Sequence, residues 1–280
     1  MKTTPILSVI LAFFISSCSS NENAPNPPLE AQQLTNVSYG NDAKQKFDLY
    51  LPANRNTSDT KTLILVHGGS WIGGDKSEMS PILEVVRKNL PNYAIVNMNY
   101  RLSTFGKPAF PMQIDDIAAV IAKLKNGKYD ISDNIGFIGV SAGGHLSLLY
   151  SYAYNTDKNV KMVCSIVGPT NFTDPAYTDN PVSASFFGSV AGDSYANNPV
   201  LHQHLSPLLR VDSASPPTLM FYGNQDPVVP LNQGIQLRDR LDQLGVYYEF
   251  TLYNGGHGNW SAEDLTDANT KLVTFVKNKF

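Results

Sequence analysis

Apolar residues fall along the chain in two alternating rhythms. Seven runs have the length and density of strands: Lys46 to Leu51, Thr62 to His67, Tyr93 to Tyr100, Ile135 to Val140, Met162 to Val167, Thr218 to Tyr222 and Tyr247 to Tyr253. The first alternates apolar and polar positions and stops at Pro52, as an early antiparallel strand does. Thr62 to His67 is almost continuously apolar, which predicts a strand covered on both faces. Between these runs the period lengthens to that of amphipathic helices, over Pro81 to Asn89, Pro111 to Lys125, Gly144 to Tyr154, Leu231 to Leu244 and Ala262 to Asn278. Repeated strand–helix alternation predicts an α/β fold: a mostly parallel central sheet with helices on both faces. No internal repeat and no second domain is visible.

One stretch breaks the rhythm. Gly168 to Leu209 carries Pro, Asn, Asp, Ser and Gly throughout, with a short apolar cluster at Phe186-Phe187. Loops of this length in compact domains are functional or hold small helices of their own. It follows the Cys164 strand, where a lid over a site would be inserted, so 168–209 is expected to be a small lid; an inert surface excursion is the rival reading.

The N-terminus has a different pattern. Lys2 supplies a short positive region, and Ile6 to Ile15 is a compact apolar run. It is shorter than the roughly 20 residues a bilayer-spanning helix needs, but suits the apolar part of a secretory signal. Ile15-Ser16-Ser17-Cys18 resembles the bacterial lipobox, which implies a diacylglyceryl group on Cys18. A plain signal peptide with an incidental Cys18 is the alternative. Downstream, Asn21, Pro25, Pro27 and Pro28 mark a polar stretch that cannot bury enough apolar surface to order itself. The expected organisation is a signal peptide over 1–17, a lipidated flexible tether over 18–35 and one folded domain over 36–280. The implied location is the bacterial cell envelope, with the domain held to the outer membrane or cell surface by the N-terminal lipid. With Cys18 acylated, only Cys164 remains, so no internal disulfide is expected and Cys164 becomes a small buried hydrophobe.

Composition removes several classes of partner. The chain has 280 residues, 42% hydrophobic, enough for one sizeable core. The net charge of -3 is spread out, with no Lys/Arg block for nucleic acid and no acidic tail.

Four short segments carry chemistry. Gly139-Val140-Ser141-Ala142-Gly143 sits where the Ile135–Val140 strand meets a helix. A serine hydroxyl is a poor nucleophile unless it is exposed beside a base in a fixed geometry, and a sharp strand-to-helix turn provides that. His67-Gly68-Gly69-Ser70-Trp71 follows another strand. A Gly pair lets backbone N–H groups approach a developing oxyanion, so the expected donors are the N–H groups of Gly69, Ser70 and Ala142. His67 is expected to shape this loop rather than act as a base. Trp71 either walls a substrate pocket or packs on the loop. Asp226 follows the strand ending at Tyr222, and His257 lies in the Gly-rich loop after the last strand. A carboxylate there would orient the histidine. Each segment alone is weak, but Ser141, Asp226 and His257 all follow predicted strands and would converge on one sheet edge. The remaining His145, His202 and His204 have no neighbours at metal-ligand spacing, so neither a metal nor a cofactor is expected. His145 is expected beneath the Ser141 turn, and His202 and His204 in the lid segment, from which they could reach substrate.

These segments, with Phe47-Asp48-Leu49-Tyr50-Leu51-Pro52, Gly74-Asp75-Lys76, Asn99-Tyr100-Arg101-Leu102, Asp115-Asp116 and Val229-Pro230, carry a resemblance over roughly Val37 to Phe280. The chain is similar to the α/β-hydrolase esterase/lipase group that includes hormone-sensitive-lipase-like enzymes, most closely to bacterial feruloyl and acetyl-xylan esterase-like members. Ser70 departs from the third Gly of many lipase relatives. The resemblance implies an α/β-hydrolase fold and a carboxylic-ester hydrolase, with an acyl-enzyme on Ser141, His257 as general base and Asp226 as orienting acid. It points to acetyl or feruloyl esters of polysaccharides. Asp115 and Asp116 are read as structural, anchoring Arg101. Two other readings stand beside it: a serine peptidase of prolyl-oligopeptidase type, and a non-catalytic glycan-binding surface lipoprotein. The esterase-like His-Gly-Gly loop speaks against the first, and the retention of all three triad positions against the second.

Overall fold

The computed structural model describes residues 28–125 and 127–280. Its eight strands are β1 (Gln32–Ser38), β2 (Lys46–Leu51), β3 (Thr62–Val66), β4 (Ala94–Met98), β5 (Ile135–Val140), β6 (Val160–Ile166), β7 (Thr218–Gly223) and β8 (Tyr248–Tyr253). They form one sheet in the order β1-β2-β4-β3-β5-β6-β7-β8. β1 and β2 are antiparallel to each other, β2 is antiparallel to β4, and all remaining pairs are parallel.

The helices are α1 (Ser80–Asn89), α2 (Met112–Leu124), α3 (Ala142–Leu149), α4 (Pro175–Thr178), α5 (Pro181–Ala191), α6 (Pro199–His204), α7 (Leu231–Gln243) and α8 (Ala262–Lys279). Strand alternation sorts them onto two faces. Leu63, Leu65, Ile138 and Cys164 share one core with Leu83 and Val86 of α1 and Leu272 and Phe275 of α8. Ile64, Val66, Phe137 and Val163 share the other with Ile117 of α2, Leu146 of α3 and Leu237 of α7. Both faces of β3 are therefore buried, as its unbroken apolar run requires.

The structure corrects the sequence reading in two places. β1 lies partly inside the tether expected over 18–35, because Gln32 and Gln33 already pair with Leu51 and Tyr50. The signal peptide expected over 1–17 and the expected lipidation site Cys18 lie outside the described residues. The helix expected from Gly144 begins two residues earlier, at Ala142, and its last turn widens into a π-helical segment over Tyr150–Tyr154. The 168–209 segment holds small helices, as the sequence allowed: α4, α5 and α6 all start with an Asx–Pro pair. In each, the Asp174, Asn180 or Asn198 side chain caps the helix and Pro occupies its first position.

Candidate active site

Ser141 is the single residue between β5 and α3, held at φ 52° and ψ -119°. A non-glycine residue reaches that conformation only when its surroundings enforce it. Here the Ser141 N–H donates to the Ile166 carbonyl at 2.8 Å, while its own carbonyl accepts from His145 N at 3.0 Å. The turn needs glycine on both sides: a Cβ at Gly139 would sit on the Gly143 carbonyl, and one at Gly143 on the carbonyls of Val66 and His67. The result lifts the hydroxyl to the carboxyl edge of the sheet.

His257 and Asp226 reach the same edge from β8 and β7. His257 Nε2 lies 2.9 Å from Ser141 Oγ, and His257 Nδ1 lies 2.7 Å from Asp226 Oδ2. Asp226 Oδ1 accepts from the N–H groups of Val228 and Val229 at 2.8 and 2.9 Å. Burial alone would raise the Asp226 pKa, but the His257 bond and these two N–H groups outweigh it and hold the carboxyl below its ordinary value. The carboxylate accepts at Oδ2, so Nδ1 of His257 carries the proton and Nε2 is left to accept from Ser141. The two loops are also laced together. Asn224 Oδ1 accepts from Gly255 N, Gln225 N donates to Gly255 O, and Asn259 Oδ1 accepts from Gly256 N. Sequence reasoning passed over Asn224 and Asn259, whose turn-forming amides were the available signal.

The His67–Trp71 loop closes the third side. Gly68 is packed so closely on Ser141 that a Cβ there would lie 3.3 Å from the Ser141 Cβ. Tyr100 Oη donates to the carbonyls of His67 and Gly68, and His67 Nδ1–H donates to Gly68 O at 2.6 Å. The Gly69 carbonyl accepts from both Ile72 N and Gly73 N. A trans peptide points its N–H opposite to its C=O, so anchoring the carbonyls of Gly68 and Gly69 aims the N–H groups of Gly69 and Ser70 the other way. Neither these two N–H groups nor that of Ala142 donates to another described residue. His67 is fully buried, and burial lowers its pKa, so it stays neutral and shapes the loop.

A cavity of about 270 Å³ opens beside Ser141, walled by Ser70, Trp71, Tyr177, Val182, Phe186 and Val229. The 168–209 segment thus supplies one wall, chiefly through α4 and α5. Trp71 lines the cavity, and its ring packs edge-on against His145, Phe172 and Phe187. His145 is wholly buried beneath the turn, where burial depresses its pKa to about 4. His202 and His204 do not meet substrate space: His202 turns inward to the Asp193 carbonyl at 2.9 Å, and His204 faces solvent away from the cavity lining. Asp116 anchors Arg101 through a 2.7 Å ion pair while Asp115 is exposed. Cys164 is a buried free thiol.

Residues 47–241 match the BD-FAE family. Esterase LipC of Mycobacterium tuberculosis (strain ATCC 25618 / H37Rv) is 27% identical over 79% of this chain and 59% of its own. The chain spans about half the length of the curated relatives it matches. A truncated carbohydrate esterase from gut microbiota is 26% identical, with 88% of this chain and 97% of that one superposed at a TM-score of 0.71. An acetyl ester-xyloside bifunctional hydrolase from Caldicellulosiruptor lactoaceticus shares the fold at 19% identity and a TM-score of 0.67, over 89% and 96% of the two chains.

Proposed function

The chain belongs to the BD-FAE family and has the α/β-hydrolase fold; on that premise we propose that it is a serine carboxylic-ester hydrolase with Ser141 as nucleophile. The observation that carries this reading is the unbroken hydrogen-bond chain from Ser141 through His257 to Asp226. His257 Nε2 takes the hydroxyl proton as Ser141 Oγ attacks the ester carbonyl carbon. The negative charge that forms on the carbonyl oxygen is met by the N–H groups of Gly69, Ser70 and Ala142. His257 returns the proton to the departing alcohol, leaving an acyl-enzyme. Water, deprotonated by the same histidine, then attacks the acyl carbon, and Ser141 and the free acid are released. Asp226 remains ionised throughout and stabilises the imidazolium. Ser141→Ala is expected to abolish p-nitrophenyl acetate turnover with the fold intact; undiminished turnover would overturn the assignment.

The substrate is proposed to be an acetyl or feruloyl ester on a polysaccharide. The carbohydrate esterase relative supports the alcohol side. The mostly apolar cavity wall of Trp71, Val182 and Phe186 supports an acyl pocket. An ester panel from acetyl through butyryl to feruloyl, on chromophores and on acetylated xylan, tests this; turnover confined to free short-chain esters would exclude the polysaccharide. Export and lipid anchoring at Cys18 are proposed on the sequence alone. Metabolic labelling with an alkynyl fatty acid should mark the protein and be lost in Cys18→Ser.

A further inference from the structure

Resting on the reading of Ser141 as nucleophile, we propose that Gln113 is a positioning residue for the oxyanion-binding loop, acting through a relay of amides that ends at the Ser70 N–H. Gln113 lies on α2, 42 positions from Trp71 in sequence, and its side chain is fully buried. Its Nε2 donates to the Trp71 carbonyl at 2.7 Å and to the Arg101 carbonyl at 2.8 Å. Both partners are acceptors only, so the amide nitrogen must face them. Its Oε1 is left buried with no partner among the described residues, an unfavourable arrangement tolerated for the sake of the two donations.

The Trp71 carbonyl belongs to the peptide whose N–H is that of Ile72. That N–H donates to the Gly69 carbonyl at 3.1 Å. The Gly69 carbonyl in turn belongs to the peptide whose N–H is that of Ser70; this one donates to no described residue, and Ser70 lines the Ser141 cavity. Gln113 therefore heads a series: side-chain amide, peptide 71–72, peptide 69–70, oxyanion. Each donation fixes the plane of the next peptide and polarises it, strengthening the final donor. The loop needs such fixing, because Ser70 and Trp71 are consecutive non-glycine residues at φ 52° and 62°. Ser103 N also donates to Trp71 O at 2.9 Å, so the loop keeps one tether when Gln113 is lost.

An oxyanion contact acts in the transition state and not in the ground state, which sets the test. Gln113→Met removes both donors at nearly constant volume, and Gln113→Asn withdraws the amide without adding charge. For whichever variant folds, kcat on p-nitrophenyl acetate should fall about tenfold or more with KM within about twofold, since loss of a whole oxyanion donor typically costs about a hundredfold. Affinity for a trifluoromethyl ketone, which forms the oxyanion on Ser141, should fall in proportion. Unchanged kcat, or a rise in KM alone, would overturn the proposal, as would unfolding of both variants, which would make Gln113 a residue of the fold only. A wild-type protein that turns over no ester would instead overturn the Ser141 reading, so the two failures are distinct.

Discussion

Asp226 holds His257 with one carboxylate oxygen at 2.7 Å while its other oxygen is spent on the N–H groups of Val228 and Val229. The carboxylate cannot swing away from the histidine without abandoning its own turn. Its orientation is therefore fixed before any substrate arrives. Asp226→Asn keeps the shape but lets an amide N–H face Nδ1, which favours the tautomer that cannot accept from Ser141. We expect kcat on p-nitrophenyl acetate to fall by about three to four orders of magnitude, with a melting temperature close to that of the parent.

Asp75 caps the turn that follows the His67–Trp71 loop. Burial would raise its pKa, but bonds from Ser77, a bond from Asn99 and the charge of Lys44 prevail and bring it from 3.8 to about 2. A carboxyl depressed on folding stabilises the protein above its unfolded value, and that stabilisation is lost as pH falls through the folded value. The stability gap between the parent and Asp75→Asn should thus be full at pH 6 and begin to shrink below about 4. Urea denaturation at pH 6, 4 and 3 measures it; a gap independent of pH would contradict the assignment.

Asp116 is buried completely and accepts from Arg101 N, Arg101 Nε, Arg101 Nη2 and Gln45 Nε2. Arg101→Ala removes the countercharge and leaves a carboxylate with only backbone and amide donors. The expected loss is about 3 kcal/mol, the low end for breaking a buried pair, because Arg101 is itself partly exposed. Chemical denaturation of Arg101→Ala, Asp116→Asn and the double variant gives the coupling; the double variant should be more stable than Arg101→Ala alone.

Phe186 stands at the wall of the Ser141 cavity on α5, only partly buried. Phe186→Ala enlarges this cavity, the proposed acyl pocket, without opening the core. The ratio of kcat/KM for hexanoate over acetate p-nitrophenyl esters should rise by about tenfold, the scale of a methylene or two in an apolar pocket. An unchanged ratio would place the acyl chain elsewhere.

How much of this was legible in the chain depends on how locally each feature is encoded. Ser141, Asp226 and His257 could be found because each sits just past a strand with apolar runs dense enough to recognise, and a parallel sheet gathers such positions at one edge. β1 escaped because Gln32–Ser38 contains only Leu34 and Val37 as large apolar residues, and a register shift between them breaks the alternation. An edge strand tolerates such polarity because one side of it has no neighbour. The helices within 168–209 could not be placed because Asp174-Pro175, Asn180-Pro181 and Asn198-Pro199 look like loop composition until read as caps. A reach of His202 or His204 to substrate stays open in the sequence because nothing there separates the inward face of so short a helix from its outward one. Gln113 was invisible for a different reason: its significance lies in two carbonyls supplied by other loops.

The register of β7 and β8 pairs Gly223 with Tyr253, and the loops carrying Asp226 and His257 leave the sheet immediately after these two residues. β8 is the last strand of the sheet and most of it is only half-buried. His257 thus hangs from the rim of the sheet, whereas Ser141 is set near its centre. Fraying of β8 would draw His257 away from Ser141 while the rest of the domain stayed folded, which exposes that hydrogen bond to local opening at the sheet's edge as well as to global unfolding.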